Sequence, residues 1–229
     1  PIVAGVDSST QSCTVELRDL AGGEVVAVAS APHPVVTPPV AEQHPEAWWT
    51  AFEQAYAAAI STAGVDEVAA ISIAGQQHGM VALDEDDRPV HPAKLWNDTE
   101  SAADADWLMA QLGSTDAWAD AVGSVPVAAF TVTKLSWLHR TDPAAWDRVA
   151  RVLLPHDALT RRLTGRATTD RGDASGTGYW SPASGEYRWD LLAVVDADRD
   201  WSTVVPDVLG PLETAGEWQD AVVGPGTGD

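Results

Sequence analysis

Cysteine is nearly missing: Cys13 stands alone among 229 residues. No intrachain disulfide can form and no Cys/His cluster at zinc spacing appears, so the cytoplasm, where thiols stay reduced, is the expected setting. Basic side chains are scarce as well. Thirteen face 34 acidic ones, a formal charge of −21, which repels nucleic acid and anionic membranes over most of the surface. No apolar stretch approaches the ~18 residues of a membrane span, and no basic segment precedes the opening run Ile2–Val6, so neither a span nor a signal peptide is expected. Internal repeats and linkers long enough to separate two independent domains are absent too.

What remains is ample for a core. Hydrophobic residues make up 45% of the chain, enough for one large core or two small ones. Eleven tryptophans, from Trp48 to Trp218, fit core and crevice packing. Ile2 to Ser30 alternates between apolar runs and tight turns, predicting a β-meander. Pro45 opens a helix whose spacing assigns Trp49, Phe52, Tyr56, Ala59 and Ile60 to the buried face, and Gly64 closes it. Val68–Ala74 then reads as a buried strand, and Met80–Leu83 with the Asp84–Asp87 tip as a hairpin return. Helices are expected over Thr99–Leu112, Thr131–Leu138, Pro143–Val149 and Pro155–Leu163, with two short helical pieces between Asp190 and Leu209. Thr168–Trp180 reads as a polar, glycine-rich connector, and Ala221–Val223 as a strand entering Gly224–Asp229. This order predicts an α/β domain, a mixed sheet with helices packed on it.

Several stretches could carry chemistry. Asp7, Ser8, Ser9 and Thr10 follow a buried strand in a turn where N–H groups and hydroxyls converge on an anion, or they form an ordinary polar turn. Were a phosphate held there, Asp7 would act through Mg²⁺, directly or through its waters. Gly75-Gln76-Gln77-His78-Gly79 places two amides and an imidazole at the carboxyl end of a strand, groups that match sugar hydroxyls; the alternative is a hairpin corner with a solvated histidine. Trp96-Asn97-Asp98 offers an aromatic plane, an amide and a carboxylate to a polyol, or a helix cap. Asp170 and Asp173 stand among small residues, where a turn brace is the plain reading. A buried-looking strand running into a glycine-rich turn that stops on Asp229 leads to the expectation of further chain. A carboxylate there could accept the proton of an attacking hydroxyl.

In order along the chain, these stretches resemble the FGGY carbohydrate kinases. The matches are Gly5-Val6-Asp7 with Thr10 and Ser12, Glu42–Trp49, Ile73–Gly79, Trp96–Asp98, Phe130–Leu135, Leu154–Asp157, Asp170–Thr177 and Gly226–Asp229. Within the family they are most similar to the xylulokinase branch. The resemblance implies two actin-like, ribonuclease-H-like domains around a cleft, with residues 1–229 forming the amino-terminal, sugar-binding one and a carboxy-terminal ATP-binding domain lying outside this chain. It implies ATP and Mg²⁺ as cofactors and transfer of the γ-phosphate to a ketopentose, foremost D-xylulose, with little or no turnover by this chain alone. Other polyols (ribulose, gluconate, glycerol) and a non-catalytic sugar-binding module are the alternatives. By resemblance Asp229 is the general base, Asp7 the metal- and phosphate-side carboxylate, Ser9 and Thr10 the phosphate turn. Gln77, His78 and Gly79 with Trp96, Asn97 and Asp98 bind substrate. The implied partners are a sugar, the second domain and, as in many members, a second copy of the chain; nucleic acid and membranes are not among them. Two departures stand out: Ser9 occupies a position where the family usually has glycine, and the residue that usually follows the base, asparagine, is not in this chain.

Overall fold

A computed structural model describes residues 1–228. Strands β1 (Ile2–Ser8), β2 (Ser12–Asp19) and β3 (Val25–Pro32) form the expected antiparallel meander. A short β4 (Glu42–Gln43) leads into helix α1 (Pro45–Ala63), after which β5 (Ala70–Gly75) returns parallel to β1, with Val3 opposite Ala70 and Ser8 opposite Gly75. The middle of the chain holds β6 (Val81–Leu83), β7 (Ala93–Lys94), α2 (Ala102–Leu112), α3 (Thr115–Val122), α4 (Thr131–Thr141), α5 (Pro143–Trp146) and β8 (Arg151–Leu153). Then come α6 (Pro155–Thr164), β9 (Thr168–Asp170), α7 (Arg171–Ala174), the β10 (Trp180–Ser181) and β11 (Glu186–Tyr187) hairpin, and α8 (Trp189–Val195). The chain closes with β12 (Asp207–Leu209), β13 (Gly216–Trp218), β14 (Ala221–Val223) and β15 (Thr227–Gly228).

The main sheet runs β13-β14-β5-β1-β2-β3, and β15 continues beyond β14 along the same edge of β5. It is mixed: β14, β15 and β1 lie parallel to β5, while the meander and the β13–β14 pair are antiparallel. Helices α1 and α6 pack on it around a core that includes Val6, Val15, Leu17, Phe52, Ile71, Ile73 and Leu159. A second core, with Leu108, Trp118, Val132, Leu135, Trp146 and Leu192, gathers α2, α4, α5 and α8. Among the described residues no helix is long and apolar enough to cross a membrane.

Local chemistry explains α1. Pro45 occupies its first turn, the His44 ring accepts the Glu46 N–H, and Gly64 closes the helix at φ 65°, where its lack of a Cβ avoids strain. The buried face differs from the expected one: Trp48, Ala51, Phe52, Ala55 and Ala59 point inward, while Trp49, Tyr56 and Ile60 lie at the core's border. Alanines let the helix axis approach the sheet closely, and the Arg162 guanidinium stacks 4.5 Å over the Trp49 ring. The hairpin return through Asp84–Asp87 is present, with Met80 bridging Lys94 and Leu83 bridging Pro89, and Val81–Leu83 pairs on its other side with Arg151–Leu153. Two further differences concern the second half. Helix α3 was not foreseen. Thr168–Trp180 is no open connector: Thr168 and Thr169 are buried in β9, and the Asp170 carboxylate caps α7 by accepting the Gly172 and Asp173 N–H groups.

Candidate active site

The carboxyl ends of β1 and β5 lie side by side, and the loops leaving them converge. Where the first loop leaves β1, Ser9 donates its N–H (3.1 Å) and hydroxyl (3.3 Å) to the Ser12 carbonyl, closing a tight turn. Among the described residues the non-glycine positions with positive φ are His78, Asp87 and Gln219, so Ser9 fills the glycine position without left-handed strain. The Thr10 carbonyl accepts from Gln43 Nε2 (3.0 Å), and Gln43 in turn accepts the Trp48 indole N–H (2.6 Å). A buried amide thus ties the turn to α1.

Thr10, Gln76, Gln77, His78 and Trp96 line one open cavity of ≈350 Å³. The Trp96 indole N–H donates to Thr10 Oγ1 (3.0 Å), which donates to Gln76 Oε1 (3.4 Å). Gln76 Nε2 is left buried without a partner among the described residues, a donor available to a ligand. Sequence reasoning chose Gln77 over Gln76; the buried Gln76, directly after β5, lines the same cavity.

His78 is held from three sides. Its ring stacks on Phe130 (centroids 4.9 Å, planes 22° apart), Thr131 Oγ1 donates to its carbonyl (3.2 Å), and Nδ1 lies 2.9 Å from the Gly176 carbonyl. A carbonyl only accepts, so Nδ1 carries the proton and Nε2 keeps its lone pair. Burial lowers the imidazole pKa against the pull of that hydrogen bond, so the ring is neutral at neutral pH. Its backbone sits at φ 62°, a conformation that costs a non-glycine residue about 1 kcal/mol or more, as happens where a fixed geometry is needed. Gly75 and Gly79 serve the approach of α6: a Cβ would lie 2.9 Å from His156 Cβ at the first and 2.7 Å from Pro155 Cγ at the second.

The other sequence candidates divide. Asp7 is exposed near the end of β1, paired in register with Thr14 of β2 and Ala74 of β5. Asn97 is half-buried, with Oδ1 buried and without a partner among the described residues. Asp98 sits beneath the cavity rather than in its lining, accepting from Ala41 N (2.8 Å), Lys94 Nζ (3.1 Å) and Glu100 N (3.1 Å). Glu42, Asp98 and Glu100 form a carboxylate cage. Lys94 Nζ already fills it, at 2.9, 3.1 and 2.6 Å, and lies 3.9 Å over the Trp137 ring. Burial would lower the Lys94 pKa, but these three carboxylates raise it above its ordinary value. Asp229 lies outside the described residues; Thr227 and Gly228 before it pair with Ala74 and Gly75. A different cavity of ≈400 Å³ lies between α1 and α6. Its arginines are already matched, Arg162 by Glu46 and Arg161 by Asp87, which leaves it without the convergent polar groups of the first.

A model of the FGGY family of carbohydrate kinases, N-terminal domain, matches residues 2–224. The chain belongs to this family. Over its whole length it is 46% identical to a xylulose kinase from Streptomyces coelicolor, of which it covers 48%. A solved xylulose kinase from Bifidobacterium adolescentis superposes on the entire chain at a TM-score of 0.91 and 36% identity, again over about half its length (53%). A gluconate kinase from Lactobacillus acidophilus has the same fold, at a TM-score of 0.90 and 20% identity. The chain thus spans about half the length of the FGGY relatives it matches, and the anticipated actin-like mixed sheet is the fold it has.

Proposed function

We propose that this chain is the sugar-binding domain of an ATP-dependent sugar kinase that phosphorylates a ketopentose, D-xylulose first among them. One observation carries the reading: amide, imidazole and indole groups converge on a single cavity at the carboxyl ends of β1 and β5, in a chain 46% identical to a xylulose kinase. Ligands of α/β sheets bind at such strand ends. Neutral His78 offers an acceptor and Gln76 a buried donor, the mixture a polyol requires.

In this reading the sugar hydroxyl attacks the γ-phosphorus of ATP in line, its proton passes to Asp229, and the bond to the leaving ADP oxygen breaks. A magnesium ion, when bound, neutralises phosphate charge. The exposed Asp7 carboxylate, a hard oxygen donor near the carboxyl end of β1, fits such an ion and would hold it directly or through water. Of the two turn residues, Thr10 reaches the cavity, while the Ser9 hydroxyl is spent on Ser12. Positioning of ATP supplies much of phosphoryl-transfer catalysis, so a carboxy-terminal domain is the partner this chain needs, and alone it turns over little or nothing. ATP chemistry of this kind belongs in the cytoplasm.

Calorimetry of this chain against D-xylulose, D-ribulose, gluconate and glycerol tests the reading, together with Mg·ATP turnover after joining a second domain. D-Xylulose binding tightest, and turnover only in the joined protein, is the expected result. A preference for glycerol or gluconate would overturn the substrate, and no sugar binding at all would overturn the site.

A further inference from the structure

Behind the sugar cavity, where α6, β9 and α7 meet, lies an unusual concentration of buried polar atoms. His156, in the first turn of α6, is fully buried. Its Nε2 lies 3.2 Å from Asp157 Oδ1, 3.3 Å from Asp170 Oδ1 and 3.3 Å from Asp173 Oδ2. Both imidazole nitrogens, Asp157 Oδ1, both Asp173 oxygens and the hydroxyls of Thr160, Thr168 and Thr169 are buried without an aligned hydrogen bond. Buried polar groups are ordinarily paired, so attraction between charges must hold this group together. Burial alone would make His156 neutral, but Asp157, Asp170 and Asp173 together raise its pKa to about 9. Burial pushes Asp157 up to about 6 and Asp173 up to about 7.

The cluster reaches the sugar site along two routes. Asp173 O accepts the Gly176 N–H (3.0 Å), and the Gly176 carbonyl accepts from His78 Nδ1 (2.9 Å). The backbone of Gly226 and Gly228 packs directly on the cluster: a Cβ at Gly226 would lie 2.5 Å from His156 Nδ1, and one at Gly228 would lie 3.0 Å from Asp173 Cγ and 2.9 Å from Gln77 Cγ. We propose that His156 is a positioning residue for the sugar site: by gathering Asp157, Asp170 and Asp173 to one point it fixes the Asp170–Thr177 segment, which orients His78 and seats the Gly226–Gly228 strand. This rests on the sugar-kinase reading for what the positioned groups do, though not for the coupling between His156 and His78. A packing role alone would be served by an apolar side chain; three carboxylates drawn from three elements require a cation.

Nitrogen NMR of the six imidazoles in this chain tests the coupling without ligand, and calorimetry with D-xylulose tests its consequence. Wild type is expected to show His156 doubly protonated at neutral pH and His78 as the Nδ1–H tautomer. In His156→Asn, His78 loses that tautomer preference and D-xylulose affinity falls about tenfold, with circular dichroism unchanged. A neutral His156 in wild type, or a folded His156→Asn with His78 signals and affinity unaltered, overturns the proposal. Should His156→Asn fail to fold, Asp170→Asn is read the same way: its one amide oxygen can keep the Gly172 bond that Asp170 Oδ2 accepts, while the Oδ1 that faces the imidazole and accepts the Asp173 N–H is replaced and its charge withdrawn. It is expected to shift His78 in the same direction, and an unmoved His78 refutes the coupling. If wild type does not bind D-xylulose, the substrate reading fails while the tautomer comparison still decides the coupling.

Discussion

Alanine at position 176 isolates the contact that orients His78. Its Cβ would stand 2.4 Å from His78 Cε1 and 2.6 Å from Nδ1, where ordinary contact begins at 3.4 Å. Gly176 has no positive φ, so the substitution brings no backbone strain and its whole effect falls on the ring. The ring must retreat by about 1 Å, since close-packed interiors leave no slack. Phe130, stacked at 4.9 Å, limits that retreat, and any movement away lengthens the 2.9 Å bond to the Gly176 carbonyl. A lost neutral hydrogen bond is worth about 1 kcal/mol and overpacking about 1–3 kcal/mol. Because both fall on one cavity-lining group, D-xylulose affinity of this chain should drop about tenfold, and kcat/KM of a protein restored with its second domain by up to about 100-fold, the usual scale for an ångström of misplacement. Calorimetry and the His78 ring resonances report the two effects. Gly176→Ala that shifts the His78 signals yet binds D-xylulose as wild type does would refute the assignment of His78 to the sugar, and unshifted signals would refute its packing on Gly176.

Trp96→Phe keeps the aromatic plane but removes the indole donor to Thr10 Oγ1; sugar affinity should weaken roughly 3- to 10-fold, while melting shifts by less than about 2 °C because Trp96 is 48% exposed. Lys94→Met leaves Glu42, Asp98 and Glu100 facing one another without a cation; urea unfolding should show a loss of about 3–5 kcal/mol, and a loss below about 1 kcal/mol would contradict the cage. Asp173 has a folded pKa of about 7 against an ordinary 3.8, so the stability linked to its protonation is fully present below the unfolded value and is lost as pH climbs through the folded one. Asn does not titrate, so Asp173→Asn should gain on wild type by about 2 kcal/mol between pH ~5 and ~7 in urea unfolding; a gap that is flat or narrows with pH would show that Asp173 is not buried as a strained carboxylate.

Elements whose causes are local were legible in the sequence. Pro45 and Gly64 bracket α1, Gly165 closes α6, and the period-two pattern of Thr14–Leu17 gives β2, because caps, turns and alternation act within a few residues. The rotation of α1 about its axis was not legible. Two adjacent tryptophans offer two stripes about 100° apart, and the sheet's need for small residues at 51, 55 and 59 selects between them. The site shows the same division. Gln77, His78 and Trp96 could be proposed from side-chain chemistry, and the structure does bring them to one cavity with Thr10.

Asp98 illustrates why the remainder stayed hidden. Beside Trp96 and Asn97 it reads as a ligand group, but its carboxylate is committed to Lys94 and to the Ala41 N–H, and position 41 is remote in sequence. For Asp170 and Asp173 the turn-brace reading holds in part, since Asp170 caps α7, but their approach to His156, which lies in another helix, has no local signal. Small, polar composition signals exposure only while no distant charge needs a partner; once His156 supplies one, the same composition lets backbone crowd around it. Gly75, Gly226 and Gly228 show this directly, since each would place a Cβ within 3.0 Å of His156 or of an Asp173 or Gln77 atom. Glycines spaced far apart in sequence beside an isolated His-Asp pair are therefore the signal that sequence reasoning could have used: side-chain-free positions on two strands imply something bulky between them, and a charged pair at a helix start is the group that cannot be moved aside without leaving a charge unpaired.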